Sequence, residues 1–66
     1  MGYGENPMIS IVPLPGKPHF YVVWRGRSAA ATVEYLPKQD VIQIRNGGLD
    51  PKEAFDARNQ IRSLFQ

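Results

Sequence analysis

The stretch from Asp50 to Phe65 constrains the fold most, because its apolar residues repeat with a helical period. It opens with Asp50-Pro51-Lys52-Glu53, which predicts a capping box: Asp50 accepts from the Glu53 amide, Glu53 reaches back, and proline suits the first helical position. The apolar side chains that share one helical face are Ala54, Ala57, Ile61, Leu64 and Phe65. We therefore predict an amphipathic helix whose apolar face packs on the rest of the domain.

Three segments before this helix are predicted to be strands. They are rich in β-branched and aromatic residues or alternate apolar with polar ones, and they span His19 to Arg25, Ala29 to Leu36 and Val41 to Arg45. Short turns at Gly26 to Ser28 and Pro37 to Asp40 favour an antiparallel meander. The predicted fold is α+β, with a three-stranded antiparallel β-meander and one C-terminal helix packed on one face, over residues 19–66.

Residues 1–18 form a Pro/Gly-rich N-terminal arm in this prediction. The four prolines of the arm remove backbone donors and fix φ, so the arm is neither a helix nor a central strand. Two alternatives stay open for parts of it. Met8 to Val12 can pair as a fourth, short edge strand, and residues 12–15 favour the polyproline II conformation that peptide-binding domains recognise.

The chain has 66 residues, which is short enough that we expect a small free energy of unfolding. A domain of this size buries only about 60% of the surface that its unfolded chain exposes. The sequence contains no cysteine, which excludes disulfides and thiolate metal sites, so an efficient core or self-association has to supply the stability. The lack of cysteine and of any long apolar run indicates the cytoplasm and no membrane partner.

Residues that carry enzyme chemistry are sparse. The chain has one histidine, His19, and its serines and carboxylates show no spacing typical of a catalytic or metal site. Asn46-Gly47-Gly48 lacks the lysine and further glycines of a phosphate-binding loop, so it is interpreted as a turn. We predict no catalytic residues, no metal, no cofactor and no enzymatic activity.

Alternation along the strands predicts which side of the sheet the helix covers. The predicted covered side combines Phe20, Val22, Trp24, Val33, Tyr35, Ile42 and Ile44 with Ala57, Ile61, Leu64 and Phe65. The opposite side is then left open to solvent, as antiparallel sheets often are.

Basic and aromatic residues on this predicted open side give the functional hypothesis. The candidate binding residues are Tyr21, Val23, Arg25, Arg27, Gln43 and Arg45. With a net charge of +2, the favoured interpretation is a small module that binds nucleic acid, DNA or RNA, through this basic-aromatic face. The alternative is a protein-binding module, an inhibitor or adaptor of the kind that phages and mobile elements encode, which uses the same face or a sheet edge and can be a homodimer.

In outline, three strands followed by a helix resemble the arm-binding domain of tyrosine integrases and the plant Apetala-type DNA-binding domain. The residues that carry the resemblance are the basic-aromatic strand from Tyr21 to Arg27 and the helix start from Asp50 to Ala54. The resemblance is one of fold, and it implies DNA binding by the sheet.

Overall fold

The computed structural model describes residues 8–65 and contains one sheet and one helix. The strands are β1 (Ile9–Pro13), β2 (Phe20–Arg25), β3 (Ser28–Leu36) and β4 (Val41–Gly47), and helix α1 spans Pro51–Leu64. All neighbouring strands are antiparallel, in the order β1-β2-β3-β4. The predicted α+β fold is confirmed, and the fourth strand left open by the sequence is present.

Strand β1 lies at one edge of the sheet, where its proline is tolerated. Pro13 ends the strand, and a residue without an N–H is acceptable there because an edge strand has a partner on one side only. The helix approaches this edge, since Gln60 Nε2 donates to the carbonyl oxygen of Ile9 at 3.0 Å. The two partners stand 51 positions apart, so this contact joins opposite ends of the described chain.

The helix begins where the capping box predicts. The Glu53 amide donates to Asp50 Oδ1 at 2.8 Å, and the Asp50 amide donates to Glu53 Oε1 at 3.1 Å. Pro51 occupies the first turn. These two bonds satisfy amides that the helix itself leaves without a partner.

The core lies between α1 and one face of the sheet. Ala57 and Ile61 are fully buried against Val23 and Val33, which are also fully buried. The predicted helix face is wrong at Leu64, which is 60% exposed, and only partly right at Phe65, which is 45% exposed. Phe65 stacks on His19 at 5.4 Å and tilts against Tyr35 at 5.1 Å, so the helix end closes over the rim of the core.

Strand β2 presents the opposite face to the one predicted. Tyr21 and Val23 are buried beneath the helix, so the alternating residues Phe20, Val22 and Trp24 lie on the open side. The prediction holds on β3 and β4, where Val33 pairs with Ile44 and Tyr35 with Ile42 on the helix side.

The cause of this reversed orientation of β2 is a bulge in β3. Trp24 pairs with Ala29 but Val23 pairs with Ala31, so Ala30 is an extra residue in the ladder. One extra residue moves the register by one and reverses which face of β2 joins Val33.

No helix within residues 8–65 has both the length and the apolar character needed to cross a membrane.

Candidate functional site

The open face of the sheet carries a row of apolar side chains that we call the apolar strip: Val12, Phe20, Val22 and Trp24. Val12 pairs directly with Val22, and Trp24 lies beside Ser10, so the strip crosses β1 and β2. Val12 is 47% exposed, and the other three are half-buried. Helix α1 packs on the other side of the sheet, so no element of the described chain covers the strip.

Charged groups lie at the borders of the strip. The ammonium of Lys17 stands 5.6 Å from the centre of the Phe20 ring, within the range of a cation–π contact. On the same open face, toward β4, Arg45 donates to the carboxylate of Glu34 through both Nε and Nη2. Glu34 pairs with Phe20 across the strands, so this ion pair borders the strip as well.

Arg25 does not lie on the open face, contrary to the prediction. Its Nε donates to Glu53 Oε2 at 2.6 Å and its Nη2 to Glu53 Oε1 at 2.7 Å, a two-bond contact that fastens β2 to the first turn of the helix. The Arg25 hydrogen bonds, with that from the Asp50 amide, lower the pKa of Glu53 to about 2. Replacing Arg25 therefore removes a link between sheet and helix rather than a surface charge alone.

Because the pKa of Glu53 is lowered in the folded state, the stability of the domain depends on pH. Because the carboxyl is favoured as the anion in the folded state, Glu53 stabilises the domain fully above its ordinary pKa of 4.5, and the contribution is lost as the pH falls toward about 2. We expect the melting temperature of the wild type to drop across this window and that of Glu53→Gln to start lower and drop less.

Thermal melts followed by circular dichroism from about pH 6 to about pH 2 measure this dependence of the melting temperature on pH, over a range that spans both pKa values of Glu53. Asp56→Asn is the matched control, since Asp56 lies in the same helix with an exposed side chain. An equally steep drop in Glu53→Gln and in the wild type would contradict the assignment.

A second polar cluster centres on Asp40. Its carboxylate accepts from the Tyr35 hydroxyl at 2.7 Å, from Arg58 at 2.8 Å and from Arg62 at 3.1 Å. The Tyr35 hydrogen bond, with the charges of the two arginines, lowers the pKa of Asp40. The same hydrogen bond raises the pKa of Tyr35. Asp40 has a left-handed φ of 58° in the β3–β4 turn, so the cluster fixes this turn to the helix.

The six predicted binding residues divide into two groups. Tyr21, Val23 and Arg25 face the helix, and the first two are in the core. Arg27, Gln43 and Arg45 are exposed, with Arg27 in the β2–β3 turn and the other two on β4. The structure therefore does not bring the six together on one surface.

From the sequence, the residues of the apolar strip on β2 are predicted to lie in the core. Phe20, Val22 and Trp24 alternate with Tyr21 and Val23, which are equally apolar, so both faces of β2 fit a buried side. The signal that distinguishes them is the bulge at Ala30, and a run of three alanines gives no indication of it.

A second bulge lies at Arg45, between β3 and β4, because Thr32 pairs with Asn46 but Val33 pairs with Ile44. A shallow cleft lies beside it. It is lined by Ala29, Ala30, Ala31, Thr32, Asn46 and Gly47, which provide one hydroxyl and one amide side chain. Among residues 8–65, no three histidine or carboxylate side chains come close enough together to hold a metal ion.

Comparison of the chain with known protein families, with curated proteins and with solved structures finds no significant match to any of them.

Proposed function

We propose that this domain binds a protein partner through the apolar strip on the open face of its sheet. The observation that carries the proposal is the placement of Phe20, Val22 and Trp24 on the face opposite the helix, where Val12 extends them onto β1. Aromatic residues are enriched and charges depleted in the centres of protein interfaces. A partly exposed tryptophan beside aliphatic neighbours has the composition of an interface anchor.

The borders of the strip define the chemistry of the partner. Lys17 adds a positive charge at the Phe20 end, and the Arg45 guanidinium, whose side chain is 50% exposed, balances Glu34 on the β4 side. A partner surface with an aliphatic or aromatic centre and carboxylates toward its rim complements this arrangement.

Nucleic-acid binding stays a prediction, and two contacts favour the protein partner over it. Arg25 and Arg45, two cations expected to neutralise phosphates, each bind a carboxylate of the same chain. Tyr21, the expected stacking residue, is 7% exposed. A polyanion would have to compete with Glu53 and Glu34 for these guanidinium groups, and it would lose the aromatic platform that Tyr21 was to supply.

Selection of a random peptide library displayed on phage against the immobilised wild-type protein tests the proposal. We expect enriched peptides that combine apolar residues with Asp or Glu, and that bind with little dependence on salt. Trp24→Ala should weaken the binding of a selected peptide by about 2 kcal/mol or more, about 30-fold in Kd, because it removes the anchor.

The control is Lys52→Ala, which changes an exposed residue of the helix on the other side of the molecule and should leave the Kd unchanged. Circular dichroism verifies that each variant is folded. Equal binding of the selected peptides by Trp24→Ala would overturn the proposal. Saturable binding of short oligonucleotides, with affinity falling steeply in salt, would favour the nucleic-acid function instead.

A further inference from the structure

We infer that the free edge of the sheet, strand β4, is the surface through which two copies of this chain associate, so that their two four-stranded sheets join into one continuous sheet. The inference concerns a different surface from the apolar strip and does not depend on the proposed function. The partner is a second copy because the pairing pattern of β4 is complementary to itself.

Strand β4 exposes both an edge of its backbone and most of its side chains to solvent. It is the last strand in the order of the sheet, and its residues are exposed apart from Ile42, which is half-buried. Ile44 points to the helix side but remains 41% exposed, so α1 does not fully cover this edge. An exposed edge that carries isoleucines and lacks proline is a template for another strand.

The ladder determines which backbone groups face outward. The Tyr35 amide donates to the His19 carbonyl, so Tyr35 directs its backbone groups to β2 and its neighbour Glu34 directs them to β4. Glu34 pairs with Gln43, so the backbone groups of Gln43 are used within the sheet. Those of Ile42 and Ile44, on either side of Gln43, therefore face away from the sheet.

These outward groups fit a two-fold axis at Gln43. An antiparallel copy in this register pairs Ile42 with Ile44 of its mate, twice over, and each such pair exchanges backbone hydrogen bonds. Both isoleucine pairs lie on the helix side, where cross-strand apolar contacts add stability. On the other side Arg45 stands opposite Val41 of the mate, so no like charges meet.

The regular part of the β3–β4 ladder contains the residues whose backbone groups this register uses. Asp40, with its left-handed φ of 58°, lies immediately before β4, and the second bulge lies at Arg45, since Thr32 pairs with Asn46 but Val33 pairs with Ile44. The regular stretch therefore runs from Val41 to Ile44 and includes Gln43 with both isoleucines. Phe55, 61% exposed, lies on the flank of α1 that carries Arg58, whose guanidinium reaches Asp40 at the start of β4, and it adds apolar surface above the seam.

Cysteine cross-linking tests both the interface and its register. Gln43→Cys introduces one cysteine into a chain that has none, and at the axis the two Cα atoms would stand about 4.5 Å apart, within the range of a disulfide. We expect mild oxidation to convert this variant largely to a covalent dimer. Val41→Cys is the matched control on the same strand and face: the two copies of residue 41 would lie about 13 Å apart along the strands and should not cross-link.

Sedimentation equilibrium of the untreated protein over a concentration series provides the second measurement. The wild type should approach twice the monomer mass of 7.4 kDa, and Ile44→Lys, which places a charge at the seam, should halve that mass while remaining folded. Val12→Lys, on the opposite edge strand, should remain dimeric although it disrupts the apolar strip. A wild type that is monomeric throughout, or equal cross-linking of Gln43→Cys and Val41→Cys, would overturn the inference. A dimer that Val12→Lys dissociates and Ile44→Lys does not would place the interface on the apolar strip instead.

Discussion

Gly47→Ala is expected to destabilise the domain by about 2–6 kcal/mol, the sum of a left-handed backbone strain of about 1–3 kcal/mol and an overpacking cost of about 1–3 kcal/mol. Gly47 has a φ of +79°, and a Cβ added to it would overlap the carbonyl oxygen of Ala30 and stand 2.9 Å from the Cα of Ala31. Both neighbours are backbone atoms of the bulged part of β3, so neither can move without disturbing the ladder.

Two other glycines separate these two costs. Gly16 has a φ of +78° with open space where an alanine methyl group would stand, so Gly16→Ala measures the backbone strain alone. Gly48 has neither a positive φ nor a close neighbour, so Gly48→Ala should be neutral or stabilise by about 0.4–1 kcal/mol through the unfolded chain. Urea denaturation of the three variants should rank their midpoints Gly48→Ala, Gly16→Ala, Gly47→Ala from highest to lowest. A Gly47→Ala variant as stable as Gly16→Ala would show that the close approach to Ala30 is absent.

Ile61→Ala is expected to cost about 2–5 kcal/mol, because the side chain is large and fully buried, so that its truncation leaves a cavity in the core. It lies in the helix above Val23 and Val33, at the centre of the core. In a domain this small, a loss of that size is comparable with the whole free energy of unfolding, so a large unfolded fraction is expected without denaturant.

Leu64→Ala is the matched control for Ile61→Ala. It lies one turn further along the same helix and is 60% exposed, so it should change stability by no more than about 0.5 kcal/mol. Circular dichroism during urea titration compares the stabilities of the two variants, because the helix signal reports the loss of α1. Equal losses in the two variants would mean that the helix is rotated about its axis relative to the contacts described above.

The sequence was sufficient for the helix, for strands β2 to β4 and for their order because those depend on local signals, whereas β1 was left open. Asp50, Pro51 and Glu53 define the start of the helix by side-chain chemistry, and the structure shows both bonds of the capping box. The turns at Gly26 and Pro37 separate β-branched segments, so the antiparallel order followed from their short lengths.

The faces of β2 could not be predicted because they depend on a register that is set elsewhere. Without the bulge, a ladder that pairs Arg25 with Ser28 would bring Phe20 opposite Val33, and the predicted assignment would have been right. The extra residue at Ala30 brings Tyr21 opposite Val33 instead. Since both faces of β2 are apolar, neither assignment violates the hydrophobic pattern of the strand.

The candidate site changed with that register. Arg25 lies on the helix side, where it binds Glu53, and Trp24 lies on the open face instead. For this reason we propose an apolar protein surface as the ligand rather than a polyanion. Gln43 remained on the predicted face because the ladder between β3 and β4 is regular from Leu36 to Val33. Arg45 lies on the same face because it donates hydrogen bonds to Glu34.

The contact between Gln60 and Ile9 has a consequence for the kinetics of folding. Each strand pairs with its neighbour along the chain, so the hairpins form by closing short loops, which is fast. The bond from Gln60 to Ile9 closes a loop of 51 residues, whose entropic cost is repaid only once the helix and all of the sheet are in place. We therefore expect the docking of α1 across β1 to follow the rate-limiting step, so that removing the Gln60 amide accelerates unfolding and leaves the folding rate nearly unchanged.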